Sequence, residues 1–185
     1  MDYKELSRKL QTGMRETERM ILRPFCDQDE DGLFELFQDA NTMRMDGDCP
    51  IHEKNEEFIR RINLIRSGSL IWIFAEEKKS SGFVGYVMLQ DEGEAVALGF
   101  AVTAAKQHAG YGFEMLSAVT ELLRENGVKE IRIKTWEKNT PCQKLAEKLG
   151  FEMKCIIRGD HKDPVTGTTG DSYLYDADCF EITEE

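Results

Sequence analysis

A chain of 185 residues, 41% hydrophobic and 32% charged, has the composition of a soluble globular protein, and its length suits one domain with a substantial core. No apolar run reaches the ~20 residues that a membrane span needs, and the opening Met1-Asp2-Tyr3-Lys4-Glu5 lacks the apolar core of a signal peptide, so no membrane partner is expected. With 24 basic and 35 acidic residues the net charge is −11, which argues against a nucleic-acid partner and fits a cationic one such as an amine or a basic peptide.

In chain order, residues 1–15 read as a polar helix or a loose arm, and Thr17–Phe25 as a first strand. Asp29–Ala40 carries Leu33, Phe34, Leu36 and Phe37 at helical spacing. Glu53–Ser67 is a second helix with Phe58, Ile62 and Ile65 on one face. Leu70–Ala75 and Gly82–Gln90 are strands joined by the turn Lys78-Lys79-Ser80-Ser81-Gly82. Glu94–Val102 is the fourth strand. A third long helix, Phe113–Glu125, has Met115, Leu116, Val119, Leu122 and Leu123 as its apolar stripe, with Gly127 just past its end. Lys129–Trp136 alternates as a fifth strand. Thr140 and Gln143 form a capping-box pair, with Pro141 at the first helical position. Two more strands, near Glu152–Arg158 and Ser172–Phe180, flank a polar loop, Asp160–Asp171. Five scattered cysteines (Cys26, Cys49, Cys142, Cys155, Cys179) form no Cys-x-x-Cys pair. They indicate neither a zinc site nor a disulfide framework, and a reducing cytoplasm is expected.

The richest segment is Gln107-His108-Ala109-Gly110-Tyr111-Gly112, between the apolar fourth strand and the third long helix. A glycine-spaced turn there exposes first-turn N–H groups that lack intrahelical partners, at the positive end of the helix dipole, and so suits a phosphate. Glycine lets the backbone approach such a ligand. A P-loop would need Lys-Ser or Lys-Thr after the second glycine, where Phe113-Glu114 stands. A dinucleotide-binding turn would need three glycines; Glu130 lies at a suitable distance but precedes its strand.

The pattern Gln-x-x-Gly-x-Gly resembles the acetyl-CoA diphosphate loop of the GNAT superfamily of N-acetyltransferases. Two further blocks carry the resemblance. One is Asn139-Thr140-Pro141-Cys142-Gln143 leading to Leu149-Gly150-Phe151. The other is Met20-Ile21-Leu22-Arg23-Pro24-Phe25, followed by acidic residues and a Leu/Phe-rich helix, similar to the branch holding the ribosomal-protein N-terminal (alanine) acetyltransferases. The resemblance runs from about Thr17 to Phe180 and implies an α/β fold in one domain over residues 1–185. It further implies a mixed central sheet of about seven strands, splayed between strands four and five, with about four flanking helices.

In that family the pantetheine arm pairs with the free edge of strand four, so the resemblance assigns backbone contacts to Phe100, Ala101 and Val102. It puts Gln107, His108, Ala109, Gly110, Tyr111, Gly112 and Phe113 around the diphosphate. Close relatives often have Gly and a basic residue where this chain has His108 and Ala109. Phosphate affinity is then lower, or His108 substitutes in part; because histidine titrates near neutrality, cofactor affinity is expected to weaken between about pH 6 and pH 8. Asn139 matches a residue that bonds the pantetheine region, although it also suits a turn. Cys142 stands where ribosomal-type relatives often carry Ser, near the leaving sulfur, and is a candidate proton donor, although free Cys is also among the most buried side chains. Ala146 occupies the place of the superfamily's alternative acid, a Tyr. For the general base, Glu94 and Glu137 are candidates, with Asp91, Glu92 and a water relay as further options.

Asp27-Gln28-Asp29-Glu30-Asp31-Gly32 matches half of an EF-hand loop, but Gln38 stands where a bidentate Glu is required, so an acidic helix N-terminus is the better reading. No metal is expected. The reading is an acetyl-CoA-dependent N-acetyltransferase acting by direct attack of a primary amine, a small molecule or a peptide N-terminus, as a monomer or homodimer. The alternative is a non-catalytic acyl-CoA-binding or regulatory protein of the same fold.

Overall fold

The computed structural model describes residues 3–10 and 13–178. Its centre is one mixed sheet of eight strands. In spatial order these are β1 (Arg15–Glu16), β2 (Met20–Arg23), β3 (Ile71–Glu77), β4 (Phe83–Asp91), β5 (Val96–Val102), β6 (Glu130–Trp136), β8 (Thr169–Asp178) and β7 (Glu152–Lys162). All neighbours are antiparallel except the central pair β5–β6. The helices are α1 (Tyr3–Leu10), α2 (Asp29–Gln38), α3 (Ala40–Met45), α4 (Glu56–Arg66), α5 (Tyr111–Glu125) and α6 (Thr140–Lys148). None of them is long and apolar enough to cross a membrane.

Strand alternation sends side chains to two cores. On one face Ile71, Ile73 and Ala75 of β3 and Val96 and Leu98 of β5 pack with Met115, Leu116, Val119 and Leu123 of α5. On the other, Phe74 of β3 and Tyr86 of β4 pack with Leu33, Leu36 and Phe37 of α2 and Phe58, Ile62 and Ile65 of α4. The register of β3 with β4 shifts between Ala75 and Glu76, a bulge that leaves Val84 and Val87 on the same face. Next to it lies Gly85, where a Cβ would come within 2.1 Å of the Ala101 carbonyl oxygen. Only glycine lets β4 press this closely on β5.

Several expected boundaries change for identifiable reasons. The expected Thr17–Phe25 strand is shortened to β2, because residues 17–19 form a turn in which Thr17 N–H donates to Met20 C=O at 2.9 Å, and a short extra strand, β1, precedes it. Residues 3–10 are a docked helix: Leu6 and Leu10 are buried, and Tyr3 Oη donates to the Leu89 carbonyl at 2.6 Å. The second predicted helix starts at Glu56 because Asn55 caps it, accepting from Glu57 and Phe58 N–H at 3.1 and 3.2 Å. An extra helix, α3, is capped by Asp39, which accepts from Thr42 N–H at 2.7 Å. The Asp160–Asp171 loop is mostly hairpin, with β7 and β8 leaving only residues 163–168 as the turn. Phe180 and Cys179 lie outside the described residues.

Candidate active site

The sheet opens at its centre. β5 and β6 are paired only at Val96–Ile131, Ala97–Arg132 and Leu98–Ile133. Antiparallel pairing continues further on the outer sides, to Gly85–Val102 on β4 and to Trp136–Ser172 on β8. From Gly99 to Val102, therefore, β5 has a partner strand on one side only. Phe100 turns its backbone groups to this open edge, whereas those of Ala101, expected there from the sequence, face Tyr86 and Gly85 of β4, because successive residues of a strand point their backbone groups to opposite sides. The Val102 carbonyl is on the open edge too, but it already accepts from the Gln107 side chain at 2.9 Å. Gln107 also donates to Thr42 Oγ1 of α3 at 3.1 Å. Its amide thus ties the loop to the strand before it and to α3.

After a 3-10 turn (Ala104–Lys106), the chain enters α5 through two left-handed residues, His108 at φ 57° and Gly110 at φ 85°. Alternating backbone handedness of this kind makes a concave row of N–H groups. The first helical bond of α5 runs from Glu114 N–H to the Gly110 carbonyl, at 3.1 Å. Among the described residues, the N–H groups from His108 to Phe113 have no acceptor. At Gly110 an added Cβ would lie 3.3 Å from Arg19 Nη2; at Gly112 it would face inward, toward Leu145 and Val102, at ordinary contact distance. The demand for glycine is therefore strongest at Gly110.

Two cations that the sequence did not single out flank this loop. Arg19 donates to the Ala109 carbonyl at 2.9 Å and lies 4.1 Å over the Tyr111 ring. Lys106 pairs with Glu77 at 2.8 Å. Hydrogen bonds from Lys106, Ser80 and Tyr111 hold the Glu77 carboxyl down at about 2. Arg19, in the turn before β2, and Lys106, in the 3-10 turn next to Gln107, thus bring cations to the loop, each paired with a carboxylate, Glu114 and Glu77.

Across the opening stands the start of α6. Asn139, rather than Thr140, is its cap: Asn139 Oδ1 accepts Cys142 N–H at 3.3 Å. Gln143 does not complete a capping box; it donates to the Trp136 and Glu137 carbonyls at 3.2 and 2.7 Å. Cys142 is half-buried in the first turn. Burial pushes its thiol up to about 11, against a hydrogen bond with Thr135 that pulls the other way.

The remaining wall is built by α3 and the β7–β8 hairpin. Arg44 makes a two-pronged contact with the buried Asp163, at 3.1 and 2.7 Å. This clamps the hairpin turn to α3 and holds the Asp163 carboxyl well below the usual range. His161 stacks on Trp136 with ring centroids 4.4 Å apart. Buried Trp136 Nε1 and His161 Nε2 have no hydrogen-bond partner among the described residues.

The carboxylates expected as bases are dispersed. Glu137 follows Trp136 at the open end of β6, its N–H bonded to the Asp171 carbonyl at 2.9 Å. Glu94 is not on a strand; it lies in the exposed turn before β5, and strand rise puts it roughly 25 Å from the open end. Asp91 and Glu92 share that remote end, where Asp91 accepts Gly93 N–H at 2.9 Å and Glu92 accepts from Arg132 at 3.2 Å. The EF-hand-like carboxylates are engaged by cations: Asp29 by Arg23, Asp27 and Glu30 by Arg66, Asp31 by Lys54.

A mixed sheet parted within its central parallel pair, with a glycine turn heading the next helix, defines an acetyltransferase fold. Residues 19–152 match the model of the acetyltransferase (GNAT) domain, and the chain belongs to that family. It is 23% identical over 154 residues to the uncharacterized N-acetyltransferase YoaA of Bacillus subtilis, covering 77% of this chain and 85% of that one. It superposes on spermidine N-acetyltransferase from Vibrio cholerae, solved with CoA and spermine, with a TM-score of 0.74 at 14% identity, covering 86% of this chain and 95% of that one. For the ribosomal-protein-S5-alanine acetyltransferase of Vibrio fischeri the TM-score is 0.71 at 12% identity, over 91% and 98%.

Proposed function

We propose that this acetyltransferase takes its acetyl group from acetyl-CoA and passes it directly to a primary amine. One observation carries the reading. The one-sided edge of β5, Gly99–Val102, leads straight into a row of N–H groups without acceptors at the head of α5. A strand edge suits an amide-bearing arm, and a helix N-terminus suits a diphosphate, so the residues fit CoA at both ends.

Bound acetyl-CoA supplies a thioester, whose carbonyl carbon is the electrophile. The N–H groups from His108 to Phe113 hold the diphosphate, with Arg19 and Lys106 adding positive charge. Backbone groups at Phe100 align the arm, and an N–H on this edge polarises the carbonyl. Asn139 keeps its amide N–H groups free for the arm while its oxygen caps α6. Cys142 acts as a hydrogen-bond donor to the departing sulfur. A thiol held near 11 stays protonated at neutral pH and does not compete as a nucleophile. Glu137 adds negative charge where a cationic acceptor enters.

The names of the structural neighbours give two acceptors, spermidine and the alanine of a ribosomal protein, and the chain's net charge of −11 suits an amine of either class. The test is CoA release from acetyl-CoA with spermidine and with Ala- and Ser-initiated peptides, alongside acetyl-CoA binding to wild type and Gly110→Ala. Turnover of one acceptor class, with binding weakened about tenfold or more in Gly110→Ala, is expected. Tight binding without turnover of any amine would favour a non-catalytic acyl-CoA-binding protein.

A further inference from the structure

Both cations beside the glycine turn are neutralised, but they are not equally fixed. Arg19 donates from its backbone N–H and its Nε–H to Glu114, at 2.8 and 2.6 Å, and from Nη1 to the Ala109 carbonyl at 2.9 Å. Lys106 has one ion-pair partner among the described residues, Glu77 at 2.8 Å, and its ammonium group sits on a flexible stem. Both cations reach the same ring: the Arg19 guanidinium lies 4.1 Å from the Tyr111 centroid, and Lys106 Nζ lies 5.3 Å from it. Tyr111 opens α5, and its N–H belongs to the row without acceptors. Lys106 Nζ therefore stands next to the proposed diphosphate seat, with a carboxylate as its present partner.

That carboxylate is firmly placed. Glu77 ends β3 and closes the turn into β4: its N–H donates to the Gly82 carbonyl at 2.9 Å, and its carbonyl accepts from Ser81 N–H at 2.8 Å. Its side chain is 13% exposed and accepts hydrogen bonds from Tyr111 Oη and Ser80 Oγ besides pairing with Lys106. Two hydroxyls and an ammonium group around a largely buried anion are partners that a phosphate would also take. Glu77 thus offers Lys106 from within the protein what a diphosphate would offer it from outside. The two anions compete, because a phosphate beside Tyr111 is attracted by Lys106 and repelled by Glu77.

We propose that Lys106 is an exchangeable cation: Glu77 holds it while the loop is empty, and it passes to the diphosphate when acetyl-CoA binds. The assignment rests on the acetyl-CoA reading above. Tyr111 and Ser80 stay on Glu77 throughout, so the first residue of α5 keeps its place. Glu77 is then a positioning residue that sets cofactor affinity from outside the glycine turn. Breaking its pair with Lys106 opposes binding, and its charge opposes the phosphate, so both effects act in one direction. Removing that charge while keeping an oxygen for Tyr111 tightens binding, although it takes an ion pair away from the folded protein.

The test titrates acetyl-CoA by calorimetry into wild type, Glu77→Gln, Lys106→Met and the double variant, at low and at high salt. Glu77→Gln is expected to lower Kd about fivefold at low salt, and Lys106→Met to raise it about fivefold. The gain from Glu77→Gln shrinks at high salt, and it falls below about twofold when Lys106 is already Met. A Glu77→Gln protein that binds acetyl-CoA no more tightly than wild type, or a gain that survives intact in the double variant, would overturn the exchange. Absence of acetyl-CoA binding by wild type would instead overturn the cofactor reading itself. Thermal melting reports whether each variant is folded; if Glu77→Gln is not, Lys106→Met alone decides, and a Kd within about twofold of wild type overturns the proposal.

Discussion

Arg19 and Glu114 join the turn before β2 to the first turn of α5. The Arg19 side-chain Nε–H and backbone N–H both donate to the Glu114 carboxylate, at 2.6 and 2.8 Å, and Thr17 Oγ1 adds a third bond at 2.5 Å. The same arginine reaches the Ala109 carbonyl, so this contact sets where the glycine turn sits relative to the sheet.

The contact makes stability depend on pH. Desolvation pushes the Glu114 carboxyl up, but the bonds from Thr17 and Arg19 outweigh it and hold the group below its ordinary value. A carboxyl depressed in the folded state stabilises above its unfolded pKa, and that contribution is lost as pH falls through the folded value. Glu114→Gln is expected to cost about 1–2 kcal/mol at pH 7, with the gap to wild type closing below about pH 4. Urea denaturation across that range measures it; a gap independent of pH would refute the charge-based account.

At Gly85 the demand is steric. An alanine Cβ 2.1 Å from a backbone oxygen cannot be accommodated by rotating a side chain, so β4 and β5 must separate. Gly85→Ala is expected to lose about 2–4 kcal/mol and to weaken acetyl-CoA binding through displaced Ala101. Gly93→Ala, where φ is 83° but no atom lies within 4 Å, should cost only about 1 kcal/mol. Similar losses in the two variants would remove the steric argument.

Helix α6 separates two caps that look equivalent in sequence. Asn139→Ala removes the acceptor for Cys142 N–H and should cost about 1 kcal/mol, whereas Thr140→Ala should stay within about 0.5 kcal/mol. Chemical denaturation of the pair decides which residue begins the helix.

Cys142 should be slow to alkylate. Its half-buried thiol is pushed up to about 11, while Cys49 and Cys155 are exposed. Mass spectrometry of iodoacetamide-treated protein at about pH 8 is expected to show Cys49 and Cys155 modified well before Cys142. Modification of Cys142 first would mean that its environment favours the thiolate.

Much of the fold was legible before any coordinates. The stripe Met115, Leu116, Val119, Leu123 marks α5 because residues three and four apart share a helix face, and those four side chains are buried on one core. The glycine turn and the one-sided edge of β5 fall where the local pattern and the family resemblance put them. The misreadings fell where a distant partner outweighs local preference. The 160–171 segment looks like a polar loop, and it forms strands because its backbone pairs across a hairpin whose turn is anchored by Arg44 to Asp163. Thr140 looks like a cap until Asn139 takes the bond first. Glu94 looks like a strand residue facing the site, and it lies in a turn at the far end of the sheet.

By itself, the order of side chains along the chain determined the long helices and the central strands, which face of each is apolar, and where a left-handed glycine lets backbone N–H groups converge. Those properties depend on neighbours within a few positions. Tertiary structure alone decided that Arg19 stands beside the loop, that His161 stacks on Trp136, and that Arg44 of α3 grips Asp163 in the hairpin turn, 119 residues further along. Such meetings are set by strand register and helix docking, and a chain read one residue at a time carries no local trace of them.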